Sequence, residues 1–133
     1  MARNLSALSI TNPTSDPSIE IDGTFTFEVT PSFAGGGGVT AYALDFQYDQ
    51  GTSTWVSIPA SAGGMITADT NPISSTTSDV ATSITVTGKT ADTYSIRVVN
   101  VSRTITSGTQ TVTVNGEPGS FQAAWAAGSN QVL

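Results

Sequence analysis

The sequence predicts an all-β protein, folded as a Greek-key sandwich of about seven strands in two layers, with an extended C-terminal tail. Serine and threonine supply roughly three residues in ten, well above their ordinary share, whereas charged residues make up only 11%. Threonine suits a half-exposed strand because its branched Cβ fits the extended backbone and its hydroxyl tolerates water. Short alternating runs follow one another between turn signals at the spacing a sandwich requires.

The first strands lie on either side of a proline-rich kink. Residues 5–17 alternate and then break at two prolines, which predicts an edge strand A. Residues 17–31 alternate in two runs separated by Asp22-Gly23, which predicts strand A′, a tight turn and strand B.

The middle of the chain contains a glycine loop and the most aromatic strand. Residues 31–40 hold four consecutive glycines, Gly35 to Gly38, which predict a flexible loop. Residues 40–49 predict strand C, and residues 52–59 predict a short strand that follows a turn at Gln50-Gly51. Only a short strand at 65–68 is expected between residues 60 and 79. The side chains expected on one face of strand C are Tyr42, Leu44, Phe46 and Tyr48.

Three further strands close the predicted sandwich. Strand E lies in residues 81–88, strand F in 92–100 and strand G within 104–116, each with alternating apolar side chains directed inward. The predicted division is a sandwich over residues 1–116 and a docking tail over residues 117–133.

Three segments together resemble bacterial and bacteriophage immunoglobulin-like (Ig-like) domains. Residues 43–59 are similar to the family's strand C, its glycine-containing turn and its Trp-x-x-Ile-Pro pattern. Asp92-Thr93-Tyr94 resembles the tyrosine corner that opens strand F, and residues 107–116 resemble the terminal strand. The resemblance extends over residues 5–116.

The resemblance implies a particular core. The strand C pivot is a buried Trp in many members, and Phe46 stands at that position here. Tyr94 would bind nearby backbone through its buried hydroxyl. Where antibody domains carry an inter-sheet disulfide, apolar packing of Ile96 against Phe27 would replace it. The core set is therefore Phe27, Phe46, Asp92, Tyr94 and Ile96.

Composition argues against several classes of function. Net charge is -6, with four basic residues and ten acidic ones, so neither a nucleic acid nor an anionic membrane is expected as a partner. The chain contains no His and no Cys, which excludes catalytic triads, thiol nucleophiles and ordinary zinc sites. We therefore expect no enzymatic activity, no cofactor and no metal.

The remaining polar candidates have structural interpretations. Glu20 with Asp22, Asp45 with Asp49, and the segment 69–71 are interpreted as strand edges and turns, with a weak calcium site as the alternative. Arg97 is expected to pair with Asp45 across strands F and C. The Gly35 to Gly38 loop is either a flexible connection or a segment that orders against a partner.

The tail carries two large aromatic side chains in an alanine-rich setting, which predicts a docking role because exposing them to water favours aggregation. The sequence is compatible with two alternatives: the tail packs on the chain's own sandwich, or it docks on a neighbouring subunit. The expected docking residues are Phe121, Trp125, Val132 and Leu133.

These features together predict a virion protein, because a surface-type β domain without an export signal fits a particle assembled in a host cytoplasm. The first hypothesis is a bacteriophage capsid decoration protein, present in many copies or as a homo-oligomer, that binds the major capsid protein or other virion subunits. The alternatives are a tail- or fibre-associated Ig-like module and a carbohydrate- or cell-surface-binding module that recognises host glycans. In the last case Tyr42, Tyr48, Trp55 or Trp125 would stack on sugar rings.

Overall fold

The computed structural model describes residues 2–61 and 63–116, except for the side chain of Arg103. The described residues are all-β, with one helical turn. The strands are β1 (Asn4–Asn12), β2 (Ser18–Glu20), β3 (Thr24–Ala34), β4 (Tyr42–Asp49), β5 (Val56–Ser57), β6 (Ile66–Ala68), β7 (Ile73–Thr76), β8 (Thr82–Gly88), β9 (Asp92–Asn100), β10 (Ile105–Thr106) and β11 (Gln110–Asn115), and the 3-10 turn η1 (Val101–Arg103) follows β9.

Two sheets form the sandwich. The smaller sheet has the order β1-β3-β8-β6, and the larger has the order β2-β11-β9-β4-β5, with β7 paired to β4 and β10 paired to β9. The chain passes from the smaller sheet to the larger sheet between β1 and β2, at the predicted kink. β2 pairs in parallel with β11 and does not pair with β3. The predicted all-β sandwich is confirmed.

The core lies between the sheets and is formed by alternate side chains of the central strands. Phe27 of β3 and Phe46 of β4 are fully buried and meet edge to face, with their ring centroids 5.0 Å apart. Tyr94 and Ile96 of β9 are also fully buried. On β4, Tyr42, Leu44 and Phe46 are buried and Tyr48 packs against the core, as the alternation of strand C predicts.

Strand β3 is longer than the sequence predicts, because it continues past Pro31 to Ala34. Pro31 lies opposite Leu8, while Thr30 and Ser32 on either side of it lie opposite Ser9 and Ala7. A proline removes a single donor from a ladder, so the pairing resumes beyond it. Strand β7 is also not predicted from the sequence, because residues 69–79 are rich in turn formers. It pairs with the first half of β4.

The start of the chain contacts the glycine loop, a pairing that the sequence does not predict. The backbone N–H of Arg3 donates to the Gly38 carbonyl at 2.8 Å, and the Arg3 Nε donates to the Gly37 carbonyl at 2.7 Å. Gly35 has a φ of +99°, and a Cβ there would lie 2.7 Å from the Ala2 carbonyl oxygen. Glycine is needed at that position for both reasons.

Within the described residues, no helix is long and apolar enough to cross a membrane. The predicted tail, residues 117–133 with its four docking residues, lies outside the described part of the chain.

Candidate functional site

Tyr94 ties strand β9 to the turn that precedes it. Its hydroxyl donates to the Thr90 carbonyl at 2.6 Å, and its ring is fully buried with an edge-on contact to Tyr48 at 5.7 Å. Burial, with smaller contributions from the Asp92 charge and from Tyr48, raises the pKa of Tyr94 to about 12. The phenol therefore stays a protonated donor at neutral pH, in the arrangement of a tyrosine corner.

Replacing Tyr94 with phenylalanine is expected to lower the free energy of unfolding by about 1 kcal/mol, because the ring packing is kept while one hydrogen bond is lost. Urea denaturation measures this difference. Tyr48→Phe is the matched control, since its hydroxyl has no hydrogen-bond partner among the described residues. Equal effects of the two changes would show that the bond to Thr90 contributes nothing.

Asp49 organises the loop that follows β4. Its side chain is buried at 6% exposure and accepts hydrogen bonds from the backbone N–H groups of residues 51–54 and from the Thr52 hydroxyl. Burial raises the pKa of Asp49, but the hydrogen bonds from the Thr52 hydroxyl and the loop backbone outweigh it, so the pKa lies below its ordinary value of 3.8. This carboxylate anchors the loop, because its two oxygens accept all of these hydrogen bonds.

The stability of the protein is expected to depend on Asp49 at acidic pH. Because the folded pKa is below 3.8, the contribution of the carboxylate is present above that pH and is lost as the pH falls through the folded value. Asp49→Asn should therefore lower stability at neutral pH and flatten the loss below pH 3.8, as measured by thermal unfolding across pH. Asp92→Asn should change less, because Asp92 is exposed and, within the part of the chain that the structure describes, accepts two hydrogen bonds, from Gln50 and from the Thr93 N–H.

The outer face of the larger sheet carries a network of four side chains, Asp45, Gln47, Trp55 and Arg97, which we call the outer-face network. The Arg97 Nε donates to the Gln47 Oε1 at 2.8 Å, and the guanidinium lies 4.2 Å from the centre of the Trp55 ring. The Gln47 Nε2 in turn donates to Asp45 at 3.0 Å. Gln47 thus stands between the two charges.

The predicted direct pair of Arg97 with Asp45 is therefore wrong. Strand register places Gln47 opposite Arg97 and Val99 opposite Asp45. Asp45 instead accepts from Gln47 and from the Ser57 hydroxyl, the latter at 2.8 Å. A difference of two residues along the ladder keeps both side chains on one face but places the two charges in different cross-strand pairs, and sequence alternation does not specify it.

Asn71 has a structural role beyond the turn that the sequence predicts for residues 69–71. Its Nδ2 donates to the carbonyls of Phe46 and Ile58 at 2.9 and 2.8 Å, and its Oδ1 accepts from the Phe46 N–H at 3.0 Å. The side chain thus adds to the backbone hydrogen bond that the Ile58 N–H donates to the Phe46 carbonyl at 2.9 Å. The Asn71-Pro72 dipeptide signals a turn, but nothing in the sequence indicates that this amide reaches two strands.

An apolar groove lies beside the network, where β4, β9 and η1 meet. It has a volume of about 430 Å³, and Val101 in its wall is 68% exposed. The register of β4 against β9 brings Asp45 and Val99 together in the groove lining, because the two residues are direct cross-strand neighbours. The residues that line the apolar groove are Ala43, Leu44, Asp45, Pro72, Ser74, Val99, Val101 and Ser102.

The other candidate ligand residues are separated in the structure. Asp22 pairs with Lys89 at 2.6 Å, and Asp69 accepts from the Thr85 N–H at 2.9 Å. Asp45 belongs to the outer-face network, whereas Asp49 anchors its loop. Residues 2–61 and 63–116 contain no group of three acidic side chains that could hold a metal ion.

The aromatic side chains considered for sugar stacking have different environments. Tyr42 is buried, donates to the Ser78 carbonyl and has a pKa raised by burial and by the Asp79 charge. Tyr48 packs against the core. Trp55 is half-buried and covered on one face by Arg97, and Trp125 lies outside the described residues.

Comparison with solved structures finds chains with similar folds. The chain is similar to domains 4 and 5 of the S-layer protein SbsC, with a TM-score of 0.55 and 16% identity over 85% of this chain and 53% of that one. The chain thus spans about half the length of that structure. A CARDB domain from Pyrococcus furiosus, solved in complex with di-metal ions, gives a TM-score of 0.49 and 15% identity over 84% of this chain and 93% of that one.

The fold is an Ig-like β-sandwich. A scan against protein-family models found no match, and a search of the curated proteins found none either.

Proposed function

We propose that this chain is a non-catalytic structural protein of a bacteriophage virion, a capsid decoration protein with an Ig-like fold. It would be present in many copies, bind the major capsid protein or other virion subunits, and be assembled in the host cytoplasm. The observation that carries the proposal is that the best-connected polar side chains make structural contacts within the sandwich. Asp49, Asn71 and the outer-face network stabilise the sandwich, while an apolar groove lies open on the described surface.

The charge pattern supports an inert outer surface. Arg3 and Lys89 are each paired with a carboxylate, Asp79 and Asp22, and Arg97 is covered by Trp55 and Gln47. The described surface is otherwise rich in hydroxyls and carboxylates, which disfavours contact with anionic polymers. A protein that coats a particle needs such a surface outward and an apolar contact toward its neighbours.

The carbohydrate-binding alternative has less support. A sugar ring stacks on an open aromatic face, whereas Tyr42 and Tyr48 contribute to the core and one face of Trp55 is occupied by Arg97. A tail- or fibre-associated module shares the same fold and surface, so location within the particle separates it from a decoration protein.

Immunoelectron microscopy tests the proposal. An antibody raised against the purified chain would be applied to gradient-purified particles from a lysed culture that expresses the chain, with particles lacking the chain as the control. We expect gold label over the heads. Label confined to tails would favour the tail-associated alternative, and particles that carry no label would contradict a virion role.

A further inference from the structure

The apolar groove and the exit of the chain from the sandwich lie at opposite ends of the larger sheet. Val99 and Val101 of the groove stand at the carboxyl end of β9 and just beyond it. β11 runs antiparallel to β9, and its last paired residues place Val114 opposite Asp92, at the start of β9. Val99 lies seven positions after Asp92 along β9, which corresponds to a distance of about 23 Å along the strand.

The groove is apolar and open to water. Val101 is 68% exposed although it adjoins Ala43, Pro72 and Val99. Its volume of about 430 Å³ is within the range of about 300–1,000 Å³ that accepts a ligand or a large side chain. A concave apolar site with a few polar groups in its lining has the composition of a ligand-binding pocket.

The chain itself contains a segment of matching chemistry. Residues 117–133 carry the apolar side chains of Phe121, Trp125, Val132 and Leu133, with Glu117 as the one charged side chain. A stretch of nine residues can span at most about 30 Å, which is the upper limit of the distance from Glu117 to Trp125. The segment therefore contains enough chain for Trp125 to contact a neighbouring copy that lies at this end of the sandwich.

We propose that the segment 117–133 of one copy docks in the apolar groove of a neighbouring copy, with Trp125 as the anchor. The direction of β11 favours a neighbour, since the strand runs away from its own groove and toward the groove end of a copy stacked end to end. Such a contact is heterologous, head to tail, and extends over a ring or a lattice. The inference rests on the proposed multi-copy role and identifies the partner as a second copy of this chain.

Disulfide trapping between two separately produced chains tests the docking, because the sequence contains no Cys. A 15N-labelled Val101→Cys chain is mixed with an unlabelled Ala124→Cys or Ala126→Cys chain under mild oxidation, and intact mass spectrometry measures the mixed dimer. The matched control is Val80→Cys, because Val80 is 65% exposed and lies outside the groove. We expect a several-fold higher yield of mixed dimer for Val101→Cys than for Val80→Cys, and loss of that excess when Trp125→Ala is added.

Further arms make the result decisive. Ser102→Cys, at a second groove position, removes no apolar side chain and serves if Val101→Cys misfolds. Equal yields for groove and control positions would overturn the proposal. So would a double variant, Val101→Cys with Ala124→Cys, that forms its disulfide only within the monomer, because the segment would then occupy its own groove. Disulfide trapping tests the docking with purified chains, whereas gold labelling tests the presence of the chain on particles. A negative result in one experiment therefore does not imply a negative result in the other.

Discussion

Replacing Phe46 with alanine is expected to lower the free energy of unfolding by about 3–5 kcal/mol, the largest effect among the predicted substitutions. Phe46 is fully buried at the centre of β4, and its ring packs edge to face on Phe27 of the opposite sheet. Alanine would remove this contact and leave a cavity between the layers. Urea denaturation, with the midpoint and slope fitted separately, measures the change.

Two variants at the same position serve as controls. Phe46→Leu keeps most of the volume and should cost less than half as much. Phe46→Trp introduces the residue found at this pivot in many Ig-like domains, and we expect it to destabilise by about 1–3 kcal/mol through overpacking. A stabilising tryptophan would contradict the interpretation that this core is filled by phenylalanine.

Replacing Asn71 with alanine is expected to destabilise the protein by about 1–3 kcal/mol. The change leaves the Phe46 N–H and the carbonyls of Phe46 and Ile58 without the partner that Asn71 provides. Chemical denaturation measures the loss, and amide exchange at Phe46 is expected to accelerate because its N–H loses its acceptor.

A surface asparagine and an isosteric change give the controls for Asn71. Asn115 makes a single exposed side-chain bond to Ser18, so Asn115→Ala should change stability by less than about 0.5 kcal/mol. Asn71→Asp retains the acceptor but turns a carboxylate toward two carbonyls and Asp45, so it should destabilise at neutral pH and recover partly on acidification. If Asn71→Ala and Asn115→Ala cost the same, the bridging role of Asn71 is wrong.

Much of the fold was predictable because it follows from local alternation. Strand C places four apolar or aromatic side chains at every second position, and the structure buries or packs all four against the core. The two prolines after β1 predict a break, and the chain changes sheet there. Where a turn signal was misleading, as at Pro31, the partner strand β1 maintained pairing beyond it.

The candidate site was less predictable, because it depends on which residues face each other across strands. Arg97 and Asp45 were expected to pair, yet register gives Arg97 to Gln47. Arg3, thirty-four positions from Gly37, donates a hydrogen bond to the glycine loop, and the sequence does not predict this contact. Neither the Arg97–Gln47 contact nor the Arg3–Gly37 contact can be predicted from local sequence, because the two residues of each pair are far apart along the chain.

The sequence by itself determined that the chain is all-β, which side chains of the central strands point inward, and that histidine and cysteine chemistry is absent. Those properties follow from composition and from a two-residue period, which are local. Only the tertiary structure decided the register of β4 against β9, the reach of Asn71 and the existence of the apolar groove. These depend on long-range pairing and on the way in which separate loops close over one sheet, and an alternating pattern is compatible with many such arrangements.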